Sequence, residues 1–131
     1  MNRIKIMVNG LPGNMASNVA KLVLADNRFE LIKQSLTGPE ITEAETTLDS
    51  VTIRLIQPDE RNPVVSEIRE KEGAVLCVDY THPSAVNSNA EFYCRQRLPF
   101  VMGTTGGDRQ SLENTVLASS IPAVIAPNMA K

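Results

Sequence analysis

Short apolar runs alternate with stretches in which apolar residues recur at helical spacing. "IKIMVN" (4–9) reads as a buried strand, and residues 15–25 follow as a helix with Met15, Val19, Leu22 and Val23 on one face. "FELIKQSL" (29–36) reads as a second strand, and the polar stretch 37–50 has no clear period and reads as a loop. "VTIRLI" (51–56) alternates with period two, as a half-buried strand does. Asn62-Pro63 predicts a helix start, with the helix running to about Lys71 and Gly73 just past its end. "AVLCVDY" (74–80) is apolar nearly throughout, the pattern of a central strand covered on both faces. Residues 83–97 then form a helix with Val86, Ala90, Tyr93 and Cys94 on one face. A short strand over 99–103, a helix capped by Asp108 with Leu112, Val116 and Leu117 inward, and a last strand over 122–126 complete the pattern.

Strands alternating with helices predict an α/β fold. The expected form is a doubly wound, Rossmann-type, mostly parallel six-stranded sheet with helices on both faces. Ligands of such sheets bind beyond the carboxyl ends of the strands. The 131 residues suit one domain, and 42% hydrophobic residues can build its core. A net charge of −2 with interspersed signs argues against a nucleic-acid or membrane-surface role. Cys77 and Cys94 lie in apolar-periodic segments, as reduced buried thiols of an intracellular protein would. One histidine and no paired-cysteine motif give no metal-ligand spacing.

The candidate chemistry gathers at strand ends. Gly10, Gly13 and Ala16 follow a G-x-x-G-x-x-G/A spacing between the first strand and the first helix. Glycine there permits a tight turn and close approach of a pyrophosphate to the helix amino end. The alternative is a plain strand-to-helix turn. "DYTHPSAV" (79–86), "GTTGGD" (103–108) and "APNMAK" (126–131) end three further strands on the same edge. Asp79 could act as a base or cap the loop that follows it. His82, before a proline, reads as structural or solvated, and no nucleophile–base pair can be assembled.

The segments "IMVNGLPGNM", "VDYTHPSAVNSNAEFYC", "LPFVMGTTGGDR" and "AVIAPNMAK" resemble the amino-terminal nucleotide-binding domain of dihydrodipicolinate reductase (4-hydroxy-tetrahydrodipicolinate reductase), the plant-type branch in particular. The resemblance covers nearly the whole chain and is weakest over 37–50. It implies NADPH or NADH bound across the sheet, and hydride transfer to a dihydrodipicolinate-type substrate in lysine and diaminopimelate biosynthesis. Gly10, Leu11, Pro12, Gly13, Asn14 and Met15 match the pyrophosphate loop. Tyr80 and Thr81 match the central-strand end beside the cofactor. Gly103, Thr104 and Thr105 match the segment near the nicotinamide, with Thr105 and Gly106 adjacent to substrate. Ala126, Pro127, Asn128 and Met129 match the loop that closes on the nicotinamide side.

Asn14 stands where the family usually has arginine or lysine, and Ala16 replaces the third glycine. The second strand ends in Ser35-Leu36-Thr37, with no acidic residue for a ribose 2′-hydroxyl and no arginine for a 2′-phosphate. The missing repulsion leans toward NADPH, with Ser35 and Thr37 as candidate phosphate contacts. The family's substrate-binding and tetramer-forming domain is expected to lie outside residues 1–131, and with it the catalytic acid. The chain is therefore expected to bind cofactor without turnover, to be monomeric or weakly associating, and to leave some apolar sheet surface uncovered. Its expected compartment is the cytoplasm or plastid stroma. A stand-alone nucleotide-binding module and a different Rossmann-type oxidoreductase are the alternatives.

Overall fold

In the computed structural model, which describes residues 3–104 and 108–125, strand β1 (Ile4–Asn9) carries one side-chain set to each face of a sheet. Ile6 and Val8 join one apolar cluster, and Met7 joins the other. Period-two alternation of apolar residues on both sides marks a strand buried between layers. β1 sits inside a parallel sheet of order β2-β1-β6-β7-β8, with β2 at Phe29–Leu31, β6 at Leu76–Asp79, β7 at Phe100–Met102 and β8 at Ala123–Ile125. The order reverses between β1 and β6, where Asn9 stands opposite Asp79. That reversal opens a crevice beyond the strand ends.

Helix α1 (Asn14–Leu24) covers one face through Ala16, Ala20 and Val23. Helices α2 (Arg61–Glu72), α3 (Val86–Arg95) and α4 (Arg109–Ser119) contribute to the other cluster through Val65, Ile68, Ala90, Tyr93 and Leu112. The doubly wound α/β class read from the sequence is the observed one. Two helix faces differ from expectation. Small alanines let α1 approach the sheet, which turns Met15 and Leu22 outward. On α4, Leu117 is 78% exposed, while Leu112 is buried. Helix α2 begins at Arg61 because a 3-10 turn (Pro58–Glu60) leads into it. Pro63 then falls in the first turn, where a backbone N–H has no intrahelical partner. Gly73 (φ +79°) ends α2, and Asp108 caps α4 by accepting from the Ser111 N–H, as the sequence indicated.

The expected six strands are distributed over two sheets. The extended segment 29–36 leaves β1 after Ile32, whose N–H donates to Ile6 O at 2.8 Å. Its second half, β3 (Gln34–Leu36), pairs in parallel with β5 (Val51–Ile56). β5 also pairs antiparallel with β4 (Glu45–Leu48), which falls in the stretch expected to be a loop. Asp49 and Ser50 join them with φ of 48° and 70°, the two positive values a two-residue hairpin of primed type requires. β4 is polar and mostly exposed, so no apolar alternation announced it.

Val78, Val101 and Val124 stand in register across β6, β7 and β8 on one face, and Val124 is 61% exposed. Among the described residues, no helix is long and apolar enough to cross a membrane.

Cys77 and Cys94 are both buried and free, as expected. Burial, and secondarily the nearby Asp79 carboxylate, pushes the Cys77 thiol well above the usual range. A thiol-alkylating reagent at neutral pH should leave Cys77 unmodified in the folded chain and label it only in denaturant. Rapid native labelling in a mass-spectrometric time course would contradict this packing.

Candidate functional site

The β1 strand ends at Asn9 and is followed by Gly10, whose φ of +109° few side-chain-bearing residues adopt. A Cβ there would lie 2.1 Å from the Tyr80 carbonyl oxygen, so only glycine lets the ends of β1 and β6 come together. The Gly10 N–H donates to Leu36 O at 3.0 Å, and Gly13 N–H donates back to Gly10 O at 3.0 Å. Leu11 anchors the loop in the core, and its N–H donates to the Ser35 hydroxyl. Gly13 is the N-cap of α1, with no side-chain cap bond and no acidic residue in the first turn. The first amides of α1 therefore face outward without a capping side chain, the arrangement that receives an anion.

This loop forms one wall of a cleft of about 930 Å³. Gly10, Leu11, Pro12, Gly13, Thr37, Tyr80 and Thr81 all line it, together with His82, Glu40 and Arg61. Asn14 and Met15 follow on the first turn of α1. Gly103 and Thr104 follow β7; Gly103 N–H donates to Asp79 O at 2.9 Å. A Cβ on Gly103 would fall 2.4 Å from the Tyr80 ring, so glycine here makes room for that ring. The expected positions Thr105, Gly106, Ala126, Pro127, Asn128 and Met129 lie outside the described residues.

Two expected phosphate contacts are placed differently. Ser35 is fully buried, and its hydroxyl braces Leu11 from beneath the loop, out of a ligand's reach. Thr37 lines the cleft, but its hydroxyl donates to Ile56 O at 3.1 Å. An arginine does line the cleft, Arg61 at the start of α2.

Beneath the cleft, the buried Asp79 carboxylate gathers donors from the loops after β6 and β7 and from α3. One oxygen accepts from Thr81 N–H (3.0 Å), Thr81 Oγ1 (2.7 Å) and Thr104 Oγ1 (3.2 Å). The other accepts from Asn89 Nδ2 (3.1 Å) and Tyr93 Oη (2.5 Å). Asn9 Nδ2 donates to Tyr93 Oη, and Asn9 Oδ1 accepts from Leu36 N–H, both at 2.9 Å. Asp79 thus holds the loop after β6, and these donors occupy the lone pairs a general base would use. Asn9, Asn89 and Tyr93 escaped the sequence reading as site residues. Their signal was faint: a polar residue closing an apolar strand, and an asparagine four positions before Tyr93 on the same helical face. His82 accepts from Ser84 N–H through Nδ1 at 3.1 Å, capping the 3-10 turn Pro83–Ala85.

A glycine-bounded, uncapped helix terminus at the switch point of a parallel sheet is the geometry of a dinucleotide cleft. The family described as "Dihydrodipicolinate reductase, N-terminus" matches residues 4–129. The chain belongs to this family. It is 46% identical over 132 residues to 4-hydroxy-tetrahydrodipicolinate reductase 2, chloroplastic, of Arabidopsis thaliana, covering 99% of this chain and 37% of that protein. It is 40% identical over 126 residues to probable 4-hydroxy-tetrahydrodipicolinate reductase 2, chloroplastic, of Oryza sativa subsp. japonica, covering 96% and 38%. The chain thus spans a little over a third of the length of these relatives. A dipicolinate-bound dihydrodipicolinate reductase from Paenisporosarcina sp. TG-14 shares the fold, with TM-score 0.70 at 18% identity over 97% of this chain and 48% of that one.

Gly10→Ala should cost at least ~2 kcal/mol, from positive-φ strain and the clash with Tyr80 backbone, measured by urea denaturation. A variant as stable as the parent would contradict the close approach. Tyr93 offers a pH test. Burial, then the Asp79 charge, holds its phenol well above its usual value near 10. The folded state therefore favours the protonated phenol. That contribution is complete below about pH 10 and is lost as pH rises beyond it toward the folded value. Stability should fall more steeply above pH 10 in the parent than in Tyr93→Phe, which itself should lose about 1–3 kcal/mol at neutral pH. Parallel pH profiles would remove Tyr93 from the buried network.

Proposed function

We propose that residues 1–131 form the dinucleotide-binding domain of a 4-hydroxy-tetrahydrodipicolinate reductase and hold NADPH or NADH across the β1–β6 switch point. The observation that carries this reading is the Gly10–Gly13 loop, where a Cβ-free approach and uncapped α1 amides meet at the mouth of the large cleft. The residues present fit such a group. The α1 amides and the glycine backbone would take the pyrophosphate. Tyr80, Thr81, Gly103 and Thr104 would border the nicotinamide, followed by Thr105 and the 126–129 segment. When bound, the cofactor supplies the hydride. The chain's own part is to orient it, with Asp79 fixing the Thr81 and Thr104 hydroxyls at the ends of β6 and β7.

The relatives carry a longer chain, and the substrate, a dihydrodipicolinate-type ring, is assigned to that further part, with Thr105 and Gly106 as its neighbours here. Reduction would then serve lysine and diaminopimelate biosynthesis. The chloroplastic names of the plant relatives support a plastid stroma setting beside the cytoplasmic one. The 131-residue chain is expected to be monomeric or weakly associating and to bind cofactor without turnover. No nucleic-acid or membrane partner is assigned, given the mixed charge.

A calorimetric titration of the chain, its folding checked by circular dichroism, should show saturable one-to-one binding of NADPH, NADH or both. A folded chain that binds neither would overturn this function. Turnover of dihydrodipicolinate-type substrate by the chain alone would overturn its assignment as a cofactor-binding part.

A further inference from the structure

The cleft has an uneven charge inventory. Among the described residues lining it, Arg61 is the one permanent cation, with Glu40 the one carboxylate and His82 the one imidazole. No described carboxylate lies within ion-pair distance of Arg61; the two described ion pairs are Lys5–Glu72 and Arg28–Asp26, both elsewhere. A half-buried guanidinium without a counter-ion is electrostatically unfavourable. Burial accordingly lowers its pKa, with Arg95 adding to the effect and Tyr93 and Asp79 opposing it. An anion entering the cleft would offset that cost.

The guanidinium is also held in place before any ligand arrives. Its central carbon, Cζ, lies over the buried Phe92 ring, 4.3 Å from the centroid. Nη1 donates to Asn89 Oδ1 at 3.0 Å, and Asn89 is fixed in turn by Asp79 and Thr81. One described hydrogen bond leaves most of the fork's N–H donors open. A preorganised arginine fork is suited to a phosphate, because little side-chain freedom remains to be lost on binding. Position narrows the choice of phosphate. Arg61 shares the cleft with Thr37 and Glu40, the loop after β3. In doubly wound folds the loop after the second strand faces the adenosine ribose, while pyrophosphate sits at the first helix, here on the Gly10–Gly13 side. Ser35 and Thr37, the hydroxyls nearest in sequence, are committed to Leu11 N–H and Ile56 O.

We propose that Arg61 is the specificity-determining contact of the cleft, binding the 2′-phosphomonoester on the adenosine ribose of NADPH. This inference rests on the dinucleotide reading above and goes beyond it by assigning the phosphate that separates the two cofactors. Glu40 acts in the opposite sense: its carboxylate repels a phosphate dianion and can accept from a free ribose 2′-hydroxyl.

The test compares Arg61→Gln, Arg61→Lys and the parent chain by calorimetry with NADPH and NADH, and with adenosine 2′-monophosphate as competitor. Circular dichroism and thermal melts confirm folding. The expected result is a loss of about 10- to 100-fold in NADPH affinity for Arg61→Gln, the range of a charged hydrogen bond, with NADH affinity unchanged. Arg61→Lys should recover part of the loss, since it keeps the charge without the fork. Adenosine 2′-monophosphate should displace NADPH from the parent and not from Arg61→Gln. Equal losses for both cofactors would overturn the proposal and make Arg61 a structural counter-charge to Asp79, acting through Asn89. An unchanged NADPH affinity, or a parent that binds NADH alone, would overturn it while leaving the dinucleotide reading intact. A folded parent that binds neither cofactor would overturn both.

Discussion

A carboxylate buried at the end of a central strand organises this cleft. Asp79 closes β6 with no described cation beside it, so its stability depends on donated hydrogen bonds. Thr81, Thr104, Asn89 and Tyr93 supply them, and Tyr93 links onward to Asn9 and the end of β3. Strands β1, β3, β6 and β7 thereby end at one level. Removing any donor leaves a charged oxygen short of partners in a water-poor site, which is why such a network ties separate loops into one surface.

Above that network the backbone itself lines much of the cleft. Gly10 permits a contact between strand ends that no other residue allows, and Gly103 does the same for the Tyr80 ring. Gly13 leaves the first turn of α1 without a side-chain cap. Stability and binding are divided between two layers. Side chains below fix the loops, and bare amides above remain for a ligand. Arg61 joins the layers, anchored below through Asn89 and open to the cleft above.

Much of this was legible in the chain. The strands at 4–9 and 51–56, the helix from Asp108 and the glycine loop follow from local periodicity and turn chemistry. The split of residues 29–36 between two sheets was not legible. The polar run Lys33-Gln34-Ser35 interrupts its apolar pattern, yet only the pairing of 29–31 with β1 and of 34–36 with β5 makes it two strands. Strand β4 was hidden because it is a polar edge strand with one partner, and only its last residue, Leu48, is buried. Ser35 and Thr37 looked like ligand contacts because a hydroxyl at a strand end carries no mark of what already occupies it.

Sequence by itself determined the fold class, the family resemblance and the glycine loop between β1 and α1, because hydrophobic period and glycine placement act over a few neighbouring residues. Tertiary structure decided which polar groups are free. Whether a hydroxyl, carboxylate or guanidinium can meet a ligand depends on partners brought from distant segments, as Ile56 is to Thr37 and Asn89 is to Arg61. Burial makes those partnerships obligatory, and no local pattern encodes them.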